Sequence, residues 1–243
     1  MSGTTGNPWV SVVIPAYDEE RRLPASLEAV NAYLDGFPYA SEVVVADDGS
    51  SDGTARVVEQ VAERWPRTRV LRLPHKGKGH AVKQGMLAAT GAYRLMCDAD
   101  LSVPIEDLTR FLPPEAQGDV VIGSREAQGA KRLDEPAVRH IMGRIFNRVV
   151  AVITGLPYAD TQCGFKMFTA AAAERLFSQQ TIDGFGFDVE LLYLARRYRF
   201  RVVEKPVVWK YGTESRVKPV RHSLAMVREA LTVRLQGWRG RYR

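Results

Sequence analysis

Two carboxylates stand one residue apart where an apolar segment of the sequence ends. Asp98 and Asp100 directly follow the apolar residues 93–97. Carboxylate oxygens at such a point can hold a hard divalent cation and leave coordination sites open for a diphosphate. Pairs of this kind also occur in solvated turns and at helix caps. The apolar segment before the pair, and a second acidic loop earlier in the chain, favour a site for Mg²⁺ or Mn²⁺.

The second acidic loop is residues 47–54, D-D-G-S-S-D-G-T, which follow another apolar segment. A tight turn with a helix cap would account for part of this sequence. Two adjacent acids directly after a buried strand are more than a turn needs. We therefore predict that Asp48 accepts a hydrogen bond from a nucleobase ring N–H or a ribose hydroxyl.

Residues 76–79, K-G-K-G, alternate two lysines with two turn-forming glycines. Their spacing fits neither the P-loop pattern nor the dinucleotide-binding pattern. Basic residues at the start of a helix that begins at Lys78 would still suit a diphosphate. The alternative is a lysine-rich surface turn.

The elements that must position these loops alternate along the first half of the chain. Apolar, β-branched segments predict strands, and segments with apolar residues at helical spacing predict helices between them. Such alternation is typical of an α/β protein with a mostly parallel sheet, in which loops at the carboxyl ends of strands carry the function. The predicted strands are residues 10–14, 42–46, 70–73, 93–97 and 119–122, and the helices are 19–34, 54–65 and 78–90.

The second half of the chain predicts two amphipathic helices around a strand at residues 202–208. The first helix spans residues 138–153 and carries Arg139, His140, Arg144 and Arg148 opposite its apolar face. The second, residues 221–238, places its large apolar residues on one face amid arginines. These residues are Leu224, Val227, Leu231, Leu235 and Trp238.

The net charge of +6 is concentrated at the C-terminus. Residues 216–243 hold eight Lys or Arg and one acid, so the other 215 residues are close to neutral. A basic amphipathic segment indicates an anionic surface partner. Phospholipid headgroups fit better than nucleic acid, because the segment shows neither interleaved aromatic residues nor a nucleic-acid-binding module. The alternative is a helix that packs its leucine face on the body and leaves its arginines in solvent.

Length, cysteine content and hydropathy bound the class of protein. The 243 residues, 45% of them hydrophobic, fit one domain with a small appendage. Only Cys97 and Cys163 are present, which favours a reducing compartment and hence the cytoplasm. The start shows no secretory pattern, and the longest charge-free apolar stretch, residues 149–159, is shorter than the ~20 residues of a spanning helix. We expect any membrane contact to be peripheral, on the cytoplasmic face.

The four loops together resemble glycosyltransferase family 2 of the GT-A fold. The matching pieces are P-A-Y-D-E at residues 15–19, residues 47–54, residues 76–79 and the D-x-D of residues 98–100. Later segments are similar to the dolichyl-phosphate glucosyltransferase and mannosyltransferase branch, and two of them favour the glucosyl member. These two are D-T-Q-C-G-F-K at 160–166 and F-D-V-E-L-L at 187–192; the others are G-S-R at 123–125 and V-V-W at 207–209.

The resemblance, over roughly residues 9–220, implies a Rossmann-like GT-A domain and an inverting hexosyltransferase. Its donor would be UDP-glucose and its acceptor a polyprenyl or dolichyl phosphate, giving a β-linked product. Alternatives are a GDP-mannose donor, a soluble hydroxyl acceptor, or a catalytically silent nucleotide-sugar-binding protein. We predict a flexible N-terminus at 1–8, the catalytic domain at 9–215 and the basic segment at 216–243.

The resemblance also implies residue roles. Asp98 and Asp100 would hold the metal, and Arg125 and Arg139 would grip the acceptor phosphate. A hydroxyl acceptor would need a general base, for which Asp188 is the candidate unless it caps a helix. The donor-binding residues would be Pro15, Ala16, Tyr17, Glu19, Asp47, Asp48, Lys76, Lys78, Gly79, Asp98 and Ala99. The acceptor-binding residues would be Arg125, Arg139, Asp160, Gln162 and Trp209.

Several of these positions have a structural alternative. Asp160 and Gln162 can belong to a loop that caps a strand, Trp209 can be a core residue, and Cys163 is expected to be a packing residue because no histidine lies in its motif. The sequence departs from the branch at Ser102, where mannosyl members usually carry Gln, and it shows no counterpart of the N-terminal membrane anchor of eukaryotic glucosyl members.

Overall fold

The computed structural model describes residues 7–212 and 219–242, which form nine strands and seven α-helices. The predicted boundary at residues 215 and 216 and most of the predicted segment 1–8 lie outside these residues. The strands are β1 Val10–Ala16, β2 Ser41–Asp47, β3 Thr68–Arg72, β4 Tyr93–Cys97, β5 Val120–Ser124, β6 Lys131–Leu133, β7 Phe165–Thr169, β8 Val202–Pro206 and β9 Val208–Lys210. The helices are α1 Leu23–Asp35, α2 Thr54–Arg64, α3 Lys78–Ala88, α4 Ala137–Thr154, α5 Ala170–Gln179, α6 Phe187–Arg197 and α7 Pro219–Trp238, with a 3-10 helix at Ile105–Phe111.

Seven strands form the central sheet in the order β3-β2-β1-β4-β7-β5-β8. Every pairing in it is parallel except those of β7, which runs antiparallel to both β4 and β5. The α/β class with a mostly parallel sheet is therefore confirmed. The antiparallel insertion of β7 between β4 and β5 is the feature that the alternating pattern did not predict.

The sequence of strand β1 is almost continuously apolar because the strand is buried on both faces of the sheet. All seven of its residues are buried, with the sheet covered on both faces. Val12 and Ile14 join the core beneath α1, α2 and the 3-10 helix. Val13, between them, joins the core that contains residues of α3 to α7. The sheet thus separates two hydrophobic cores.

The strand predicted at residues 202–208 is divided in two. Residues up to Pro206 pair with β5, whereas the residues from Val208 pair with β6 in a separate two-stranded sheet. The buried Val207 lies between the two strands. The chain thus leaves the main sheet at this point and carries Trp209 towards the carboxyl ends of the strands.

Helices α4 and α7 pack against each other on the second core. Helix α7 buries Ala230 and Val233, while four residues of its predicted apolar face are exposed. The alternative in which the leucine face packs on the body is therefore not the arrangement found. No helix in the described parts of the chain combines the length and hydropathy that crossing a membrane requires.

After α7 the chain turns back into the core at Tyr242. This side chain is 1% exposed, its hydroxyl donates to Glu190 Oε1 at 2.9 Å, and its carbonyl accepts from Arg197 Nε at 2.8 Å. Glu190 is itself fully buried and accepts from the backbone N–H groups of Thr181 and Ile182. Hydrogen bonds through Glu190 thus connect Tyr242 to the loop before α6.

Candidate active site

The carboxyl ends of β1, β2 and β4 meet at one edge of the sheet. Parallel pairing sets Ala16 beside Asp47, and β4 lies on the other side of β1. A cleft of about 410 Å³ opens there. It brings together the loops after these strands and the start of α3, as expected for a sheet of this class.

Eight of the eleven predicted donor-binding residues border this cleft, and Asp100 borders it as well. The other three adjoin it: Asp47 ends β2, Lys76 lies in the loop before α3, and Gly79 lies in the first turn of α3. The cleft also contains residues that the sequence did not single out. The predicted residues at the cleft are Pro15, Ala16, Tyr17, Glu19, Asp48, Lys78, Asp98 and Ala99, and the additional ones are Arg22, His75, Gly77, Ala81 and Phe185.

Asp48 is fixed at the floor of the cleft by the turn after β3. Its carboxylate accepts from the backbone N–H groups of Lys76 at 3.0 Å and Gly77 at 2.9 Å, and His75 Nδ1 lies 2.8 Å from Oδ2. The His75 ring stacks on Tyr17 at 4.2 Å between centroids. The carboxylate and the aromatic pair together form a surface on which a flat ring with N–H donors can stack and bond.

Asp47 and Lys76 have roles in the turns rather than in the cleft. Asp47 Oδ1 accepts from the backbone N–H and hydroxyl of Ser50. Lys76 contributes its backbone N–H to Asp48. At Gly79 the absence of a side chain allows close packing, because a Cβ there would lie 2.6 Å from the Ile182 carbonyl oxygen.

Glu19 is held at the rim of the cleft by its neighbours. Its backbone N–H donates to Thr54 Oγ1 at 2.7 Å, and its carboxylate accepts from Arg22 Nε at 2.8 Å. The loops after β1 and β2 are therefore joined to each other before any ligand binds.

Lys78 faces the D-x-D carboxylates from the first turn of α3. Its Nζ lies 2.6 Å from Asp98 Oδ1. Burial alone would lower the pKa of Lys78, but nearby carboxylates outweigh burial and raise it. These belong to Asp98, Asp188 and Asp100. Lys78 is therefore a permanent cation at the N-terminus of a helix, a position that suits a diphosphate.

Asp98 occupies space that only a glycine leaves open. A Cβ on Gly164 would lie 1.9 Å from Asp98 Oδ2, and Asp98 N donates to the Gly164 carbonyl at 3.1 Å. Gly164 lies in the loop just before β7, which pairs with β4. The loop of residues 160–164 thus forms one wall of the D-x-D site.

The two D-x-D carboxylates fit a hard cation that shares its other ligands with a diphosphate. Both border the donor cleft, where the buried Asp98 Oδ1 lies 2.6 Å from Lys78 Nζ and accepts no other hydrogen bond from the described residues. Asp100 Oδ1 accepts from Ser102 N at 3.0 Å. Within residues 7–212 and 219–242 no group of three His, Cys, Asp or Glu side chains could hold a metal alone. Phosphate oxygens or waters would have to complete the coordination.

Asp188 forms an ion pair with a lysine that the sequence did not indicate. Lys166 Nζ donates to Asp188 Oδ1 at 2.7 Å and to the Cys163 carbonyl at 2.5 Å, and the Lys166 side chain is fully buried. Burial raises the pKa of Asp188, and the ammonium groups of Lys166 and Lys78 offset part of that rise. Asp188 does not cap α6, whose cap position is Gly186.

Arg125 is held by Asp160 in a buried, two-pronged ion pair. Arg125 Nε and Nη2 donate to Asp160 Oδ2 at 2.6 Å and Oδ1 at 2.9 Å. Burial alone would raise the pKa of Asp160, but the Arg125 guanidinium holds it well below its usual range. Arg125 thus donates to Asp160 through Nε and Nη2. Its other N–H groups could bind the acceptor phosphate that the sequence predicts.

Of the remaining predicted acceptor residues, Trp209 and Gln162 contact this pair, whereas Arg139 contacts Tyr211 beside Trp209. Trp209 lies with its ring 5.3 Å from Arg125 Cζ, and Arg139 Nη1 donates to the Tyr211 hydroxyl at 3.2 Å. Gln162 Nε2 reaches Met226 Sδ of α7 at 2.9 Å. Cys163 is 1% exposed, and burial raises the pKa of its thiol to about 12, as suits a packing residue.

Three residues important to the geometry were missed by sequence reasoning. Gly164 makes room for Asp98, Lys166 pairs with Asp188, and Phe185 borders the donor cleft. The first two lie in the segment 160–166 that supplied the resemblance. A lysine in an otherwise apolar strand was the available signal for a buried ion pair.

Known proteins share this fold and sequence over most of the chain. A family model described as Glycosyl transferase family 2 matches residues 11–177. A dolichyl-phosphate beta-glucosyltransferase of Trichomonas vaginalis is 37% identical over 247 residues, covering 95% of this chain and 75% of that protein. The dolichyl-phosphate beta-glucosyltransferase of Homo sapiens is 32% identical over 252 residues, covering 96% and 77%.

Among solved structures, glucosyl-3-phosphoglycerate synthase from Mycobacterium tuberculosis has the same fold. Its complex with UDP gives a TM-score of 0.65 at 22% identity and covers 94% of this chain and 79% of that one. Its complex with Mn²⁺, UDP and glucosyl-3-phosphoglycerate gives 0.66 at 20% identity and covers 95% and 79%. The sheet, the strand-end cleft and the match over residues 11–177 agree with the family predicted from the motifs. The chain belongs to glycosyl transferase family 2.

Proposed function

We propose that the protein transfers glucose from UDP-glucose to a polyprenyl or dolichyl phosphate with inversion at the anomeric carbon. The observation that carries the proposal is the strand-end cleft. There Asp48 and the stacked Tyr17 and His75 rings line the same cleft as Lys78 and the D-x-D carboxylates. The first group suits a nucleobase and the second a diphosphate.

The comparisons support the choice of substrates. Relatives more than 30% identical over most of this chain are named dolichyl-phosphate beta-glucosyltransferases. A protein of the same fold has been crystallised with Mn²⁺ and UDP-glucose. We carry UDP-glucose and a dolichyl-type phosphate to this chain from those names, together with Mg²⁺ or Mn²⁺ as the cation.

The leaving group needs positive charge at the diphosphate. Lys78 supplies one cation there, and its raised pKa keeps it protonated near neutral pH. A Mg²⁺ or Mn²⁺ ion held by Asp98 and Asp100 would supply the rest, because it neutralises charge that develops on the departing nucleoside diphosphate. Gly164 keeps Asp98 against the wall of the site, so the carboxylate is in place before the donor arrives.

A phosphate acceptor is already anionic near neutral pH, so it needs orientation more than a general base. Arginines suit this task because the guanidinium plane binds phosphate oxygens through parallel N–H groups. Arg139 would bind the phosphate directly, and Arg125, held in place by Asp160, would present its uncommitted edge. Asp188 is paired with Lys166 and in this scheme contributes charge balance instead of base catalysis.

A groove of about 530 Å³ beside α4 offers room for the lipid end of the acceptor. Its lining combines Ile141 and Tyr158 with Arg144 and Arg148. Apolar side chains next to arginines match a phosphate that carries a hydrocarbon chain. We therefore place the protein at a membrane surface as a peripheral enzyme. Two free cysteines fit a reducing compartment, which favours the cytoplasmic face.

The test is a transfer assay with purified protein, Mg²⁺ or Mn²⁺, and a panel of nucleotide sugars. Each donor is incubated with and without a short-chain polyprenyl phosphate, and products are identified by mass. We expect a hexosyl lipid phosphate from UDP-glucose that is absent when a chelator is added. GDP-mannose as the better donor would overturn the glucose assignment. A water-soluble glycoside, or free sugar alone, would overturn the lipid acceptor.

Asp188→Asn separates the two kinds of acceptor. If the acceptor is a phosphate, this isosteric change should lower kcat by about tenfold or less, because no base is removed. A hydroxyl acceptor predicts a loss of about 10²-fold to 10⁴-fold that grows at low pH. Donor binding, measured with UDP, serves as the control for folding.

A further inference from the structure

The outer sides of α4 and α7 hold most of the exposed apolar side chains of the molecule. Of fourteen large apolar side chains exposed in the described residues, ten lie on these two helices. Exposed apolar side chains that cluster in this way indicate an interaction site. On α4 they are Val138, Ile141, Met142, Ile145, Val149 and Val152, and on α7 they are Leu224, Leu231, Leu235 and Trp238.

Both sets form stripes, and the two stripes face the same way. Apart from the adjacent Ile141 and Met142, successive members are spaced three, four or seven residues apart, so each set lies along one side of its helix. The helices pack side by side, and Val150 of α4 joins Ala230 and Val233 of α7 in the same core. Because α4 and α7 are neighbours and bury their inner sides in one core, their outer sides lie next to each other on the surface. We call it the α4–α7 face.

Positive charge accompanies these stripes, and Glu126, which lies 4.0 Å from Arg144 and 3.1 Å from His140, balances only part of it. Helix α4 contains Arg139, Arg144 and Arg148 and no acidic residue. The acid of α7, Glu229, points inward, where its Oε2 accepts from Gly186 N at 2.7 Å. Beyond it, Arg234 lies 5.0 Å from the exposed Trp238 ring. Arg144 and Arg148 line the same groove as Ile141, so these arginines flank the apolar stripe instead of lying opposite to it as the sequence predicted. The face is therefore apolar and cationic at once.

We propose that the α4–α7 face lies on an anionic phospholipid surface, with its apolar side chains among the acyl chains and its arginines at the headgroups. This deepens the proposed function, on whose lipid acceptor it rests. Charge decides against a second copy of the chain as the occupant, because two such faces would bring like charges together. Anionic lipid satisfies both properties, as it does for amphipathic helices that lie in the membrane interface.

The position of the face relative to the site agrees with this occupant. Arg139 lies in the first turn of α4, and Ile141, Arg144 and Arg148 of the same helix line the groove assigned to the lipid. On α7, Met226 contacts Gln162 of the loop that forms the site. A face resting on the membrane would hold the acceptor groove at the level where a lipid phosphate emerges.

Sedimentation with phospholipid vesicles tests the proposal. The full chain, without donor or acceptor, is mixed with phosphatidylcholine vesicles that contain or lack phosphatidylglycerol. We expect binding only when the anionic lipid is present, and weaker binding at high salt. Val152→Glu on α4 and Trp238→Glu on α7 should each weaken binding by about tenfold, because a charge then enters the acyl region.

Leu87→Glu is the matched control, since Leu87 is an exposed apolar residue on α3, outside the face. It should leave vesicle binding unchanged, and all three variants should keep the melting temperature and the UDP affinity of the parent. Equal binding to neutral vesicles, or unchanged binding by both face variants, would overturn the proposal. A dimer in solution that Val152→Glu dissociates would also overturn it.

The outcome is separable from that of the proposed function. A protein that binds anionic vesicles but transfers no sugar contradicts only the proposed reaction. A protein that glycosylates a short-chain polyprenyl phosphate in solution but binds no vesicles contradicts only the proposed surface. Val152→Glu should slow transfer to a long-chain acceptor in vesicles while transfer to the short-chain acceptor stays unchanged.

Discussion

The donor cleft and the acceptor side hold their charged groups in different ways. In the donor cleft, backbone N–H groups hold Asp48, and Gly164 makes room for Asp98, whose partner Lys78 is itself partly exposed. On the acceptor side, Arg125 and Asp188 are each held by a buried partner of opposite charge. A buried ion pair leaves an uncompensated charge when either member is lost. Loss of the Asp100 carboxylate in the cleft should therefore cost activity alone, whereas loss of Asp160 on the acceptor side should cost stability as well.

Asp100→Ala should give the largest effect on activity and almost none on stability. Loss of one of two metal-binding carboxylates should reduce transfer by about 10³-fold or more, equivalent to ~4 kcal/mol of transition-state stabilisation. The contact that the structure shows for this side chain is the backbone N–H of Ser102. Steady-state kinetics and thermal melting measure the two effects. Asp100→Asn should lose as much activity, and activity retained in either variant would refute the assignment.

Asp160→Asn should give the largest effect on stability. The change leaves Arg125 buried beside a neutral group, which typically costs ~3–5 kcal/mol. Urea unfolding at neutral pH measures it. Glu59→Gln is the control, because Glu59 pairs with Arg72 where both side chains are more than half exposed, and it should change stability by less than ~0.5 kcal/mol. Equal losses of stability in the two variants would contradict the conclusion that the buried pair stabilises the fold more than the exposed pair does.

The same ion pair predicts a pH dependence. The pKa of Asp160 is well below its usual range in the folded protein, whereas an unfolded aspartate titrates near ~3.9. Its contribution to stability is therefore complete above about pH 4 and is lost as the pH falls through the lower folded pKa. The stability difference between the parent and Asp160→Asn should shrink only in that acidic range.

Gly164→Ala should give an intermediate loss of activity. The new methyl group would overlap Asp98 Oδ2 and must displace the carboxylate. Displacement by about 1 Å can cost on the order of 10²-fold in rate, and overpacking ~1–3 kcal/mol in stability. Gly143→Ala on α4 is the control, since a Cβ there meets nothing within 4 Å. It should stabilise the helix by ~0.5–1 kcal/mol.

The cysteines should show the smallest effect. Burial raises the pKa of Cys163 to about 12 and that of Cys97 well above its usual value. A thiol reagent at pH 8 should therefore label neither residue in the folded protein and both after unfolding. Rapid labelling of Cys163 would show that the loop of residues 160–164 opens, and would weaken the description of it as a fixed wall.

Most of the donor cleft could be predicted from the sequence because each of its loops directly follows a run of buried residues. The parallel sheet then brings the loops together. The wall made by Gly164 could not be predicted, since it depends on β7 entering the sheet antiparallel to β4. The pairing of Arg125 with Asp160, thirty-five residues apart, depends on the same insertion.

The apolar stripe of α4 shows a second limit of sequence patterns. Periodicity identified the helix and its apolar residues, but it does not state which side meets the core. Val138 and Val152 are 70% and 81% exposed, while the core contact is made by Val150. A helix with apolar residues on more than one side gives no signal for choosing between them.

The packing of Tyr242 limits which variants can test the role of α7. Its ring is packed in the core, and its hydroxyl bonds to a carboxylate that also holds the loop before α6. Truncation ahead of this residue would open a void of aromatic size and deprive Glu190 of a hydrogen bond. A shortened chain that no longer sediments with lipid would therefore report damage to the interior. Single replacements on the outward side of α7 avoid this confusion.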